Sequence, residues 1–179
     1  LTGALSFISA RFDLECNRTL ARTVDATYEF LPTELELPVP CYPIEHVTRF
    51  EIRSSESQPW TMVTNVDYLV RRACVISLSS LLPSLSPDLD LQPLTSSLCR
   101  VTYAGGYLSP GDAPVPGAAQ LPSELEHAAI EQIAFWFVNR DKLGEIRNWP
   151  AGGNYVQLAD TDLLPSVRAI LKRHTRFLL

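Results

Sequence analysis

A strand that hands over to a long apolar helix constrains this sequence more than any other stretch. Leu98 to Gly144 reads LCRVTYAGGY, then a Pro- and Gly-rich crossover, then LPSELEHAAIEQIAFWFVNRDKLG. In the first part Cys99, Val101 and Tyr103 alternate with Arg100 and Thr102, the period of a strand. In the last part Pro122 and Ser123 open a helix. Ser123 with Glu126 matches a capping box, in which a hydroxyl and a carboxylate satisfy orphan amides. Leu125, Ala128, Ala129, Ile133, Ala134, Trp136, Phe137 and Val138 cover well over half the circumference, which predicts a central helix buried on most sides. Asn139 to Lys142 turn polar, and Gly144 suits a left-handed stop.

The flanking chain supplies two more helices and a set of strands. Leu5, Ile8, Phe12 and Cys16 recur at helical spacing, predicting an amphipathic helix that ends near Asn17. From Leu20 to Phe30 the period drops to two. Leu20, Val24, Ala26, Tyr28 and Phe30 share one face, and Arg22 is the one charge on it. Prolines 32, 38, 40 and 43 cut the next stretch into short extended pieces. Val47–Arg53 reads as a strand with Phe50 and Ile52 inward, and 66–71 with 73–78 as a hairpin around Arg71–Arg72. Strands this close together, with no helix between them, imply an antiparallel sheet. Leu164, Val167, Ile170 and Leu171 define a last helix with Pro165 near its start. The expected fold is therefore α+β: a single domain over 1–179, with helices at about 2–17, 122–143 and 163–176 and a β insertion at about 20–104. Residues 79–97, 104–122 and 145–161 are long connections. The last of these carries Trp149 and Tyr155, too apolar for simple disorder, so all three are expected to pack on their own domain or another subunit.

Charge and cysteine placement narrow the function. A net charge of -5 over 179 residues argues against a dedicated nucleic-acid binder. Cys16, Cys41, Cys74 and Cys99 show no C-x-x-C pair, and three of the four sit in helix or strand patterns where a small apolar residue is expected, so they read as reduced and structural. No basic segment precedes an apolar run and no apolar stretch approaches ~18 residues, so neither secretion nor a membrane partner is expected.

No catalytic constellation emerges. The glycines of VTYAGGY lack the following Gly-Lys-Ser/Thr of a phosphate loop and are followed by Tyr107 and prolines, so they read as a turn leaving a strand. His127 among Glu124, Glu126 and Glu131 lacks the three or four ligands a metal needs, and no G-x-S-x-G elbow is present. Neither cofactor, metal nor enzymatic activity is expected. Arg168, Lys172, Arg173 and Arg176 cluster with no acid among them, and His174 lies within the cluster. This basic end is either a solvated face complementing a helix C-terminus or a dock for an acidic protein surface or nucleic-acid phosphate.

The order of these pieces resembles the tailed-phage head–tail connector family, also called head-completion or adaptor proteins. The resemblance rests on the helix closing at Cys16–Arg18, the strand ending at Tyr28, PVPCYPIEHVTRFEI at Pro38–Ile52, and Asp67-Tyr68 before a hairpin. It continues through VTYAGGY at Val101–Tyr107, the helix from Pro122 to Asn139-Arg140-Asp141 and Gly144, and the terminal helix near Leu164-Pro165. It implies a helical bundle with a β insertion and a ring, expected to be twelve-fold. The ring would sit in the virion neck under the portal protein and join capsid to tail or to a stopper protein. Double-stranded DNA would pass through its lumen without sequence-specific binding, and assembly would take place in the host cytoplasm. By the same analogy Arg168, Lys172, Arg173, Arg176 and Phe177 are the candidate portal contact. Tyr107, Leu108, Trp149 and Tyr155 are candidate subunit-contact residues. Two alternatives stand beside it: a stopper or tail-completion ring, and a small enzyme or ligand-binding protein using the 104–122 and 145–161 loops.

Overall fold

The computed structural model describes residues 2–80, 97–141, 143, 146–147, 156–157 and 162–176. They fall into two compact units, one helical (residues 1–17 and 121–175) and one built of strands (residues 18–120 and 176–179). The fold is α+β, a small helical bundle with an inserted antiparallel sheet.

The helical unit contains α1 (Thr2–Cys16), α2 (Ser123–Val138) and α3 (Pro165–Arg173), each in contact with the other two. Ile8, Phe12 and Cys16, four residues apart, put one stripe of α1 into the core. They meet Leu125 and Ala128 of α2 and Leu163, Val167 and Leu171 around α3, all 4% exposed or less. Leu5, placed in the core by its spacing, is instead half exposed near the helix start. Asn17 takes the left-handed conformation expected of it (φ 50°) and closes α1 with an amide bond to the Leu14 carbonyl at 3.2 Å.

α2 departs from expectation at both ends. Its N-cap is Pro122, with no side-chain capping bond, and Ser123 is already helical, so the Ser123–Glu126 capping box does not form. The helix ends at Val138 because Asn139 turns back on it, its amide and its Nδ2 both donating to the Phe135 carbonyl at 3.1 and 2.9 Å. Gly144, the expected stop, lies outside the described residues.

The strand unit holds two antiparallel sheets. In the first, β1 (Thr23–Phe30), β7 (Leu98–Gly105), β3 (Ile44–Arg53) and β4 (Thr61–Val63) lie in that order. In the second, β2 (Glu36–Pro38), β6 (Val75–Ser80) and β5 (Asp67–Arg71) do. A short parallel pair, β8 (Tyr107–Leu108) with β9 (Ala119–Gln120), also belongs to this unit, whereas the antiparallel pair β10 (Ile146–Arg147) and β11 (Val156–Gln157) belongs to the helical one. Phe30, Phe50, Ile52, Val63, Cys99 and Val101 of the first sheet share one core with Leu37, Ile76 and Leu78 of the second. None of the four cysteines is in a disulfide, and Cys16, Cys41 and Cys99 are buried. Burial alone pushes the Cys99 thiol up to about 11.

Two local features escape simple alternation. The β1–β7 register shifts between Thr23 and Ala26. That bulge keeps Ala26, Tyr28 and Phe30 facing inward but leaves Val24 half exposed. In the β5–β6 hairpin both turn residues, Arg72 and Ala73, have positive φ (50° and 56°), the backbone of a primed turn made without the usual Asn or Gly.

Gly105 and Gly106 close the unit by crossing two segments, Cys41–Pro43 and Ala21–Arg22, at backbone distance. A Cβ on Gly105 would stand 2.6 Å from the Cys41 carbonyl oxygen, and one on Gly106 (φ +97°) 2.6 Å from that of Ala21. Gly111 is also left-handed (φ +92°) but faces open space. Gly106→Ala therefore combines strain with collision and should destabilise by about 3 kcal/mol or more, against about 1 kcal/mol for Gly111→Ala. Urea unfolding of the two variants measures the difference, and equal losses would refute the close crossing.

Candidate functional site

The basic end is built on α3, whose amphipathic sequence turns Val167 and Leu171 inward and its cations outward. Leu164 caps α3 and Pro165 sits in its first turn, where a missing N–H costs nothing. Gln132 of α2, fully buried, fixes that start: its Oε1 accepts from the Leu164 amide at 2.7 Å and its Nε2 donates to the Asp162 carbonyl at 3.4 Å. Asp162 accepts from the Leu163 amide at 2.8 Å, from Arg11 of α1 at 2.8 Å, and from Arg168. The Leu163 amide first, then Arg168 and Arg11, hold its carboxyl below the usual carboxylate range, burial opposing them. At the other end of α3, Arg173 pairs with Glu124 of α2 at 3.0 Å and His174 with the same carboxylate at 2.6 Å. Ser166 reaches Glu131 at 2.7 Å.

The basic residues are thus not one free patch. Arg168 is engaged by Asp162 and lies 3.7 Å from Glu15. Arg176, in the strand unit, donates to the Pro38 carbonyl. His174, read as part of a solvated end, has a side chain only 15% exposed. Arg173 keeps a 63% exposed side chain despite its pair, and Lys172 is exposed without an ion-pair partner among the described residues. Phe177 lies outside them. Sequence reasoning missed the roles of Glu124 and Gln132, whose partners lie 30 to 50 residues away, and the reach of Asp162 to Arg11, 151 residues away. Asp162 ahead of Leu-Leu-Pro was the one local sign of a capping acid.

The candidate loop residues divide similarly. Tyr107 is half-buried, its amide donating to the Leu20 carbonyl at 2.8 Å and its carbonyl accepting from Arg22 at 2.9 Å. Leu108 is buried in its own chain. Trp149 and Tyr155 lie outside the described residues, as do the greater parts of the 79–97 and 145–161 connections. The exposed part of the crossover is Ser109–Pro114, turned tightly by Asp112, whose Oδ2 accepts from the Ser109 amide at 3.1 Å. Buried Arg18 lies 3.4 Å from the centroid of the Tyr42 ring and 5.2 Å from that of Tyr107, and donates to the Tyr42 carbonyl. Burial raises the Tyr42 phenol, with Arg18 pulling against it. Arg22, the charge on the apolar face of its strand, is matched by Glu45 through two bonds of 2.6 and 3.0 Å.

A shallow groove of about 230 Å³ runs along Val47–Phe50, Met62–Val66 and Tyr68. Its lining has one charged residue, Arg49, and no His, Cys, Asp or Glu. Among the described residues, no three such side chains converge as metal ligands, and no helix is long and apolar enough to cross a membrane.

No known family model and no curated protein sequence matches the chain. Among solved structures, a chain from the neck of an empty GTA (gene transfer agent) particle, computed with C6 symmetry, has a similar fold. The TM-score is 0.54 at 15% identity, over 99% of this chain and 77% of that one.

Because Asp162 is depressed in the folded state, its contribution to stability is present above the unfolded carboxyl value and lost as pH falls through the folded one. Asp162→Asn should lower the thermal midpoint at pH 7, and the gap to the unsubstituted chain should narrow as pH falls below about 4. Calorimetry across pH 2–7 checks this; a pH-independent gap would refute the charge-based anchoring.

Proposed function

We propose that the chain is a structural subunit of the neck of a phage-like particle, a head–tail connector that assembles as a ring under the portal and joins capsid to tail. The observation that carries the reading is the agreement of fold along 99% of the chain with a particle-neck protein. A fold match at 15% identity does not transfer residues, so the sites are argued from this chain's own surface. The sequence order of motifs, from Cys16–Arg18 to Leu164-Pro165, supports the same family independently. In this reading the protein acts by presenting surfaces rather than by chemistry, and has no enzymatic activity.

A ring of six subunits or a multiple, twelve among them, accords with the C6 symmetry of the neighbour's particle. Double-stranded DNA would pass through the lumen unread, as suits a chain of net charge -5. The contact to the portal falls to the C-terminal segment from Arg168 onward. Lys172 and Arg173 are its exposed cations, while Arg168 and Arg176 act through their internal partners. The Ser109–Pro114 turn is the exposed loop offered to a neighbour. A stopper or tail-completion ring remains the second reading, since the same fold and surface serve a position one layer further from the capsid.

Imaging the purified protein on capsid vertices tests the placement, and a ring seated directly on the portal is the expected result. Lys172→Glu, at an exposed position outside the Glu124 pair, should weaken co-sedimentation with portal-bearing capsids roughly threefold, and more at low salt, while leaving the fold intact. Binding unchanged at every salt concentration would remove the α3 surface from the contact.

A further inference from the structure

The two units leave different things unsatisfied. α2, expected to be buried on most sides, is buried along one, and Ile130, Phe137 and Val138 stay 57%, 61% and 79% exposed. The strand unit does the opposite and encloses a charge. Arg18 is 5% exposed, the one charged residue buried among those described, and no described carboxylate pairs with it.

Two arginines of the same unit give the comparison. Each turns the Nε–Nη2 edge of its guanidinium onto a carboxylate, Arg22 onto Glu45 at 2.6 and 3.0 Å and Arg100 onto Glu51 at 3.0 and 2.9 Å. That fork is the geometry in which arginine holds a carboxylate best. On Arg18 the same edge has one neutral acceptor, the Tyr42 carbonyl on Nη2, and the buried Nε has none among the described residues. Arg22 and Arg100 are only partly buried, yet they are the ones neutralised. A cation out of water with an unmet donor is costly, and native chains keep one where a counter-charge is supplied.

The surroundings are fixed. The Arg18 guanidinium carbon lies 3.4 Å from the centroid of the Tyr42 ring and 5.2 Å from that of Tyr107. Backbone bonds hold the segments that carry them: Thr19 to the Pro40 carbonyl at 3.1 Å, Gly106 to Pro43 at 2.9 Å and Tyr107 to Leu20 at 2.8 Å. An anion reaching Nε meets a donor already oriented and already dry, where attraction is little screened. One uncompensated cation beside aromatic rings suits a planar monoanion, which is a carboxylate. A phosphate dianion would bring a second charge with no free cation to meet it.

We infer that Arg18, with Tyr42 and Tyr107 beside it, is a receptor for a carboxylate side chain, and that a second copy of this chain supplies it. The choice of a second copy rests on the ring reading above. Every copy carries the same receptor and the same surplus of acids, 20 Asp and Glu against 15 Lys and Arg. Tyr107 also leads, through Leu108, into the exposed Ser109–Pro114 turn, so the receptor stands at the root of the loop offered to a neighbour.

The first test titrates the full chain with sodium formate against sodium chloride at equal ionic strength. Formate at hundreds of millimolar should raise the thermal midpoint by roughly 3 °C over chloride. The rise should vanish in Arg18→Lys, which keeps the charge without the fork, and in Arg18→Met. In the unsubstituted chain the same titration should shift the Arg18 Nε proton resonance, a reading that needs no variant to fold. No rise and no shift, an equal rise in all three chains, or a larger Arg18-dependent rise with inorganic phosphate overturns the carboxylate receptor. The second test is native mass spectrometry of the same chains. Both variants should need roughly tenfold more protein to form rings, and formate should compete with assembly. Rings unchanged in both variants overturn the second copy as the source and leave the ring reading standing. A chain monomeric at every concentration overturns the ring reading and the second copy together, and the formate titration then judges the receptor by itself.

Discussion

The strand unit depends on a place where three backbones meet with no room for a side chain. Gly105 lies against the Cys41 and Pro43 carbonyls and Gly106 against Ala21 and Arg22. The gap is stitched by amides: Gly106 to the Pro43 carbonyl at 2.9 Å, Tyr107 to Leu20 at 2.8 Å, Thr19 to Pro40 at 3.1 Å. Tyr103, two residues before Gly105 and fully buried, accepts from the Cys41 amide at 3.1 Å, and burial pushes its phenol up to about 12. The end of β7, the start of β3 and the entry to β1 are thereby fixed to one another largely through their backbones. Sheet order and the position of the Pro-rich crossover follow from that meeting.

Much of this was legible in the sequence, for reasons that differ by element. α3 announced itself because Pro165, Val167 and Leu171 obey one period and one start rule. Phe50 and Ile52 could be turned inward because a strand's two faces alternate without exception until a bulge intervenes. Val24 shows the limit, since the bulge at the start of β1 depends on pairing with a strand some 75 residues away. Ser123 shows another: a capping box needs Ser123 just outside the helix, and Pro122, already suited to the entry, took that place. In α2 the pattern gave the apolar content correctly but not its covering. Composition counts faces that prefer to leave water; it does not say whether the same chain or another receives them.

The site was less legible than the fold. A run of cations with no acid among them looks unpaired on paper, yet Glu124 and Asp162 reach it through space. Pairing of this kind is a property of helix register between α2 and α3, which a local reading does not contain. What survives as an accessible charge is narrower than the cluster, essentially Lys172 and the half of Arg173 that Glu124 leaves in solvent.

The antiparallel lacing of α2 to α3 has a mechanical reading. Glu124 holds Arg173 and His174 at one end of α3, and Gln132 and Glu131 hold Leu164 and Ser166 at the other. A pull along α3 from its C-terminal end therefore loads these links together, in shear, instead of peeling them one at a time. Force entering at the tip of the chain reaches α2 as a whole, and the two helices bear tension as a single strut.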